Sequence, residues 1–167
     1  QFCHLLFPER KLLFEIIEKA AAEQVKITLV FSYIREYMLD YITELLDEIN
    51  QWCEEKRQTV EVVVNDWGMA SLVKKGRRNL IPSLGILLNK RKKDPRISFK
   101  KGEQKWFEMN SLNAGFYRNF LEREYGIQRF EWESCGYEQQ IPPGKNSLHI
   151  PFYQTNTSQY CPLGAVC

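Results

Sequence analysis

Apolar residues recur at helical spacing in three long stretches of the chain. Between about residues 8 and 23 an apolar stripe follows Pro8, and proline suits the first turn of a helix. A longer stripe over residues 38–53 carries acids and amides on its opposite face. A third stretch, residues 111–125, ends at Gly126, a residue type that commonly terminates helices. These patterns predict three amphipathic helices.

Strand-like apolar runs lie between these helices. Residues 25–31 alternate between apolar and polar side chains, whereas Val60–Val64 is almost continuously apolar, a pattern typical of a strand covered on both faces. Further elements are predicted as a short helix near residues 69–74 and strands near 84–88, 128–133 and 148–152. Strand–helix–strand units connect parallel strands by right-handed crossovers. The chain is therefore predicted to be an α/β protein.

The number of repeats limits the architecture. The pattern contains about five or six βα repeats, and a closed eight-stranded barrel typically needs about 200–250 residues. The sequence, at 167 residues, therefore predicts a single TIM-barrel-like (β/α) domain over residues 1–167 that is incomplete and is a fragment of a longer chain. An open doubly wound sheet is the alternative, and the number of strands distinguishes the two.

Composition and charge narrow the class of protein. The chain is 44% hydrophobic and contains no apolar run of the length that a membrane helix needs, so we expect a soluble protein without membrane insertion. Five scattered cysteines are too few for a disulfide-stapled domain and favour a reducing, cytoplasmic location. The net charge of +2 conceals a basic segment, residues 74–105, with 12 Lys/Arg against 2 Asp/Glu. This segment suggests an anionic partner such as RNA.

Polar residues follow two of the predicted strands. Asn65 and Asp66 come directly after Val60–Val64, at the carboxyl edge where α/β folds place their sites, so both are candidate catalytic residues. The alternative for Asp66 is a helix cap. Candidate anion- or substrate-binding residues follow the next predicted strand: Asn89, Lys90, Lys92, Lys93 and Arg96. The alternative for this run is a solvated charged surface.

Cysteine and histidine positions offer limited chemistry. Cys161 and Cys167 are candidate metal ligands, with Cys3 or Cys135 as further candidates, but no close cysteine pair indicates a zinc ribbon. Buried thiols without a metal are the alternative. His149 is predicted to face opposite to its neighbours on a strand, with the barrel interior as one location, and a structural role is favoured.

Three segments resemble the peptidase U32 family, which is also called collagenase-like. They are residues 61–68, EVVVNDWG, residues 84–96, LGILLNKRKKDPR, and residues 157–162, TSQYCP. The resemblance implies a TIM-barrel-like domain with a four-cysteine [4Fe–4S] cluster. Cys161 and Cys167 are similar to the family's first two cluster cysteines. Asp66 and Arg96 correspond best to family Asp and Arg positions, although the family often has Gly-Arg where this chain has Gly85 and Ile86.

This resemblance also implies a class of reaction. The family includes paired iron–sulfur proteins of ubiquinone biosynthesis and hydroxylation factors for RNA. We therefore expect an iron–sulfur protein that acts in oxygen-independent hydroxylation, or a related modification, of RNA or of a small aromatic molecule such as a quinone precursor. A second U32-family subunit is an expected partner. A U32-type peptidase and a non-catalytic subunit of a heterodimer are the alternatives.

Overall fold

A computed structural model describes residues 7–91, 108–135 and 138–151. These residues form four α-helices and five β-strands: α1 (Arg10–Ala22), β1 (Thr28–Val30), α2 (Leu39–Lys56), β2 (Val60–Val64), α3 (Trp67–Lys74), β3 (Leu80–Leu84), α4 (Gly115–Tyr125), β4 (Arg129–Glu133) and β5 (Lys145–His149). Short 3-10 turns precede α2 and α4. Within the described ranges, no helix has the length and apolar character needed to cross a bilayer.

All five strands form one parallel sheet that is curled into a half-barrel. Their order in the sheet is β1-β2-β3-β4-β5, the same as their order along the chain. A doubly wound sheet would contain a point at which this order reverses, so that alternative is not observed. The α/β class is confirmed, and the half-barrel is compatible with an incomplete α/β barrel.

The hydrophobic core lies between the helices and the convex face of the sheet. Its fully buried members include Ile17 of α1, Leu45 of α2, Met69 of α3 and Leu121 of α4, which belong to the same cluster as Val62 of β2. Burying an aliphatic side chain of this size contributes about 1.5–3 kcal/mol. The four helices therefore pack on the convex side of the sheet, and none of them covers its concave side.

Local sequence fixes where the helices end. The α2 helix ends at Arg57, which adopts the left-handed conformation with a φ of 53°, and α4 ends at Gly126 with a φ of 71°. Glycine adopts that conformation without a side-chain penalty. The predicted end of the third helix at Gly126 is thus confirmed.

Two predicted strands are displaced from the observed ones. The strand predicted near residues 84–88 is β3 at Leu80–Leu84, and Leu87 and Leu88 are buried in the turn that follows. The strand predicted near residues 148–152 is β5 at Lys145–His149. The helix predicted over 111–125 is a 3-10 turn followed by α4, separated by Ala114 in extended conformation.

Candidate functional site

The concave side of the half-barrel, here called the inner face, carries many polar side chains beside the apolar Val30, Val63 and Ile81. Side chains alternate across a strand, so the side chains opposite the core come from every second residue: Thr28, Glu61, Ser83, Arg129, Glu131, Glu133, Lys145, Ser147 and His149 among them. Several of these are buried, Ser83 completely and Glu131 and Glu133 to more than nine tenths. A buried charge is costly unless it is paired. The buried carboxylates of this face are therefore expected to have partners.

At the amino-terminal end of the inner face, Arg129 joins three strands. Its Nη1 atom lies 2.5 and 2.6 Å from the two carboxylate oxygens of Glu61, and its Nη2 donates to Ser147 Oγ at 2.5 Å. Thr28 also donates to Glu61, at 3.3 Å. Because Glu61 and Arg129 lie on β2 and β4, this ion pair crosses β3 and ties the sheet together.

The next acidic residue towards the carboxyl edge is Glu131. Its side chain is 10% exposed, and its Oε2 atom lies 3.2 Å from Nε2 of His149, whose side chain is 52% exposed. The backbone carbonyl of Glu131 accepts a hydrogen bond of 2.9 Å from Asn89 Nδ2. Asn89 is 7% exposed, and within the described ranges its Oδ1 atom is buried without a hydrogen-bond donor. The Glu131 carboxylate thus contacts the His149 imidazole, and the Glu131 backbone carbonyl holds the buried Asn89 amide.

A third acid, Glu133, lies beside Arg91. The Arg91 Nε and Glu133 Oε1 atoms are 3.8 Å apart, and both side chains are about 95% buried. Arg91 also donates from Nη2 to the carbonyl of Ser134 at 3.1 Å. The cationic run after β3 thus begins with Lys90, which is exposed. The next residue, Arg91, is buried and bonds to other residues of the protein.

Asn65 and Asp66 connect the loops at the carboxyl edge. Asn65 donates from Nδ2 to the Phe31 carbonyl at 2.9 Å and accepts from the Leu87 backbone at 3.3 Å. Asp66 caps α3, because its Oδ1 accepts from the Met69 backbone at 2.7 Å, and its Oδ2 accepts from Ile34 at 3.2 Å. The cap alternative for Asp66 is therefore observed, and a catalytic role for either residue stays a prediction.

The proposed cluster ligands are only partly within the described residues. Cys135 follows β4 at the carboxyl edge and is half-buried, whereas Cys3, Cys161 and Cys167 lie outside the described ranges. In those ranges no group of three or more His, Cys, Asp or Glu side chains is close enough to hold a metal ion. Lys92, Lys93 and Arg96 of the basic segment also lie outside them. The cluster and its ligands therefore stay predictions.

A cavity of about 190 Å³ lies at the opposite side of the site, beyond the end of β1. Its wall is mainly aromatic and aliphatic: Phe7, Phe31, Tyr33, Ile34, Met38 and Tyr41. Phe7 and Phe31 stack with ring centroids 4.6 Å apart. Glu9 is the only carboxylate among the described residues that line this cavity, so the cavity offers less acid–base chemistry than the inner face.

Sequence reasoning missed Glu131 and did not pair His149 with any residue. The signal was present in the alternation of charged and aromatic residues in β4, Arg-Phe-Glu-Trp-Glu. Phe130 and Trp132 point into the core, and the acids point to the inner face.

Comparisons with known proteins assign no relative. The chain matches no protein-family model, and no curated protein and no solved structure matches it significantly.

Proposed function

We propose that this chain is part of an α/β-barrel iron–sulfur enzyme of the U32 type, which acts in oxygen-independent hydroxylation or a related modification. The observation that carries an enzymatic role is the Glu131–His149 contact of 3.2 Å, in which a buried carboxylate touches a half-exposed imidazole on the concave face of a parallel half-barrel. A histidine oriented by a carboxylate is a common means of proton transfer. The resemblance of residues 61–68, 84–96 and 157–162 to the U32 family supports the choice of reaction.

The location of the polar groups supports the same proposal. Asn65, Asn89, Glu133 and Cys135 all lie at or just beyond the carboxyl ends of strands, the edge at which barrel enzymes assemble their sites. In the proposal, Cys161 and Cys167 hold two iron atoms of a [4Fe–4S] cluster, with Cys135 or Cys3 as a further ligand. The cluster would supply electron transfer or bind an oxygen donor, and the residues of the inner face would bind and orient the substrate.

Iron and sulfide analysis tests the cluster. The chain is purified without oxygen, incubated with iron and sulfide, and desalted, and its bound iron and acid-labile sulfide are counted. We expect bound iron and sulfide in equal amounts, and their loss in Cys161→Ser and Cys167→Ser. Cys53→Ala is the matched control, because Cys53 is fully buried on the core face of α2. A protein without iron, or iron binding that is equal in all four proteins, would refute the cluster.

The substrate is proposed to be RNA or a small aromatic molecule, and the basic segment distinguishes the two. Neutralising phosphates makes binding fall with salt. Since Arg91 is buried against Glu133, the informative variant replaces Lys90, Lys92 and Lys93 with Ser and leaves Arg91 intact. RNA binding that falls with salt and is lost in this variant favours RNA. Equal binding by both proteins would exclude the segment as the RNA contact.

A further inference from the structure

The half-barrel has an open strand edge on each side. Among the described residues, β1 pairs only with β2, and β5 pairs only with β4. The unpaired N–H and C=O groups of an edge strand can pair with a strand of another chain. Because all five strands are parallel and the sheet is curled into half a barrel, the β5 edge of one copy can meet the β1 edge of a second copy in a parallel pair.

The β5 edge exposes apolar side chains. A helix precedes each of the strands β1 to β4 in the chain, whereas the described part of residues 134–144, between β4 and β5, contains no helix. Leu148 lies on the same face as its register partner Trp132, which belongs to the core, yet Leu148 is 49% exposed and the nearby Ile150 is 72% exposed. Leu148 and Ile150, here called the β5 strip, therefore lack a covering helix among the described elements.

The α1 helix has an apolar flank at the other edge of the sheet. Arg10 forms ion pairs with α2, and Glu18 accepts a hydrogen bond from Trp52 of α2, so these two residues lie on the flank towards α2. Leu12 and Ile16 lie about one turn apart on the opposite flank, and they are 51% and 45% exposed. This flank of α1 therefore faces past β1, towards the open edge.

We propose that two copies of this chain form a closed ring, in which β5 of each copy pairs with β1 of the other and the α1 flank covers the β5 strip of the neighbouring copy. The two contacts are equivalent, and neither copy keeps an open strand edge. The inference requires no iron–sulfur cluster, so it goes beyond the proposed function and does not depend on it.

The spacing of the apolar residues fits this ring. Only residues 23–27 connect α1 to β1, so α1 runs antiparallel to the strands, and the ring places Leu12 against Ile150 and Ile16 against Leu148. Leu12 and Ile16 are about 6 Å apart along the helix axis, and Leu148 and Ile150 are about 6.6 Å apart along the strand. Both apolar pairs can therefore be in contact at once.

The charges at the two rims of the sheet match as well. Glu9 and Glu23, both exposed, lie at the two ends of α1, and two exposed basic residues, Lys145 and His149, lie at the two ends of β5. In the antiparallel arrangement Glu23 meets Lys145 at one rim and Glu9 meets His149 at the other. Opposite charges at both rims favour this direction of contact over the reverse one.

The mass of the chain in solution, measured by analytical ultracentrifugation over a range of concentrations, is the first test. We expect a species of twice the chain mass and none larger, because the ring closes with two copies. A monomer at every concentration would overturn the inference and would leave the edges to another segment or another protein. A series of larger species would overturn it as well, because open head-to-tail contacts form chains rather than a closed pair.

Two variants test which edges meet. Ile16→Lys alters the α1 flank and Leu148→Asp alters the β5 strip, and both positions are about half exposed, so each chain should still fold. Each variant alone places an unpaired charge in both contacts of the ring, and we expect its dimer dissociation constant to rise by about tenfold or more. Lys11→Ser is the control, because the Lys11 side chain is 90% exposed on another side of α1, and it should leave the dimer unchanged.

An equimolar mixture of the two variants should form the dimer again. In the mixed pair, one contact keeps both native residues, and the other joins the introduced lysine to the introduced aspartate. A dimer in which two β1 edges or two β5 edges meet would not be restored by mixing. Folded variants that stay dimeric alone, or that stay monomeric when mixed, would overturn the inference. Circular dichroism checks that each variant is folded, and the mass of the unsubstituted chain decides if either is not.

Discussion

The close approach of Gly85 to Asn65 allows a stability prediction with a magnitude. A Cβ atom at residue 85 would lie 2.2 Å from Asn65 Oδ1 and 2.6 Å from its Cγ, closer than nonbonded atoms can stay. Asn65 is 5% exposed and cannot turn away into solvent without breaking its two hydrogen bonds, to the Phe31 carbonyl and from the Leu87 backbone. Gly85→Ala should therefore displace the side chain that connects the ends of β1 and β2 with the turn after β3.

The expected cost follows from these contacts. Losing two neutral hydrogen bonds lowers the free energy of unfolding by about 1–3 kcal/mol, and forcing an extra carbon into a packed site typically lowers it by about 1–3 kcal/mol. Because the two effects overlap, we expect Gly85→Ala to lower the free energy of unfolding by about 2–5 kcal/mol. Asn65→Ala removes the clashing group, so Gly85→Ala added to that variant should cost less than about 1 kcal/mol, a strong coupling of the kind that contacting residues show.

Urea denaturation followed by circular dichroism measures all four proteins of this double-mutant cycle. Gly115→Ala is the control, since the nearest atom to its added Cβ would be 3.7 Å away, an ordinary van der Waals contact. A loss below about 0.5 kcal/mol in Gly85→Ala, the size of an ordinary surface substitution, would refute the packing argument. Strict additivity of the two substitutions would refute the assigned contact between residues 65 and 85.

Three further outcomes are expected from the described contacts. Asp66→Ala should destabilise the fold by about 1–3 kcal/mol in urea denaturation, because α3 loses its cap at the Met69 backbone and Ile34 loses its hydrogen-bond acceptor. Asp66→Asn should cost less stability than Asp66→Ala. Equal losses would contradict the capping role. The hydrogen bond from Trp52 lowers the pKa of Glu18, so this residue stabilises the fold at neutral pH and loses that contribution as the pH falls through its lowered pKa. Glu18→Gln should therefore reduce the loss of stability on acidification, measured as unfolding midpoints across pH, and an unchanged pH profile would contradict it. Burial raises the pKa of the Cys53 thiol, so iodoacetamide should alkylate Cys53 slowly in the native protein and fast in urea. Peptide mass spectrometry measures both rates. Equal rates would contradict the burial of Cys53.

The fold class was predictable because the helices carry strong periodic signals. The stripe over residues 38–53 predicted α2, and the structure buries Ile42, Leu45, Leu46 and Ile49 from it. The run Val60–Val64 was predicted with its observed bounds. These elements follow from one physical rule, since a side chain that repeats with the period of its element lies on one face of it.

Strand β3 begins four residues before the strand predicted near residues 84–88 and contains a proline. Proline in a strand normally argues against that strand, and Pro82 lies in the middle of β3 opposite Val62. The Gly85 backbone donates to Val64 in β2, so alternate residues of β3 donate towards β2 and Pro82 faces the β4 side. On that side, the registered pair is Leu84 with Phe130, two residues beyond the proline. The missing N–H group therefore costs no ladder hydrogen bond.

The inner face contains a contact between two strands that the pattern of residues along the chain does not predict. Alternation along β5 predicted that His149 faces opposite to Leu148, but it could not identify a partner 18 positions earlier in the chain. That partner depends on the register of β4 against β5, which places Glu133 beside His149 and Glu131 beside Ser147. A shift of one residue would turn every acid of β4 towards the hydrophobic core, so the burial of Phe130 and Trp132 in that core fixes the acids on the inner face. The apolar residues of β4 thus determine where its acids can act, and the site at Glu131 is a consequence of how the core is packed.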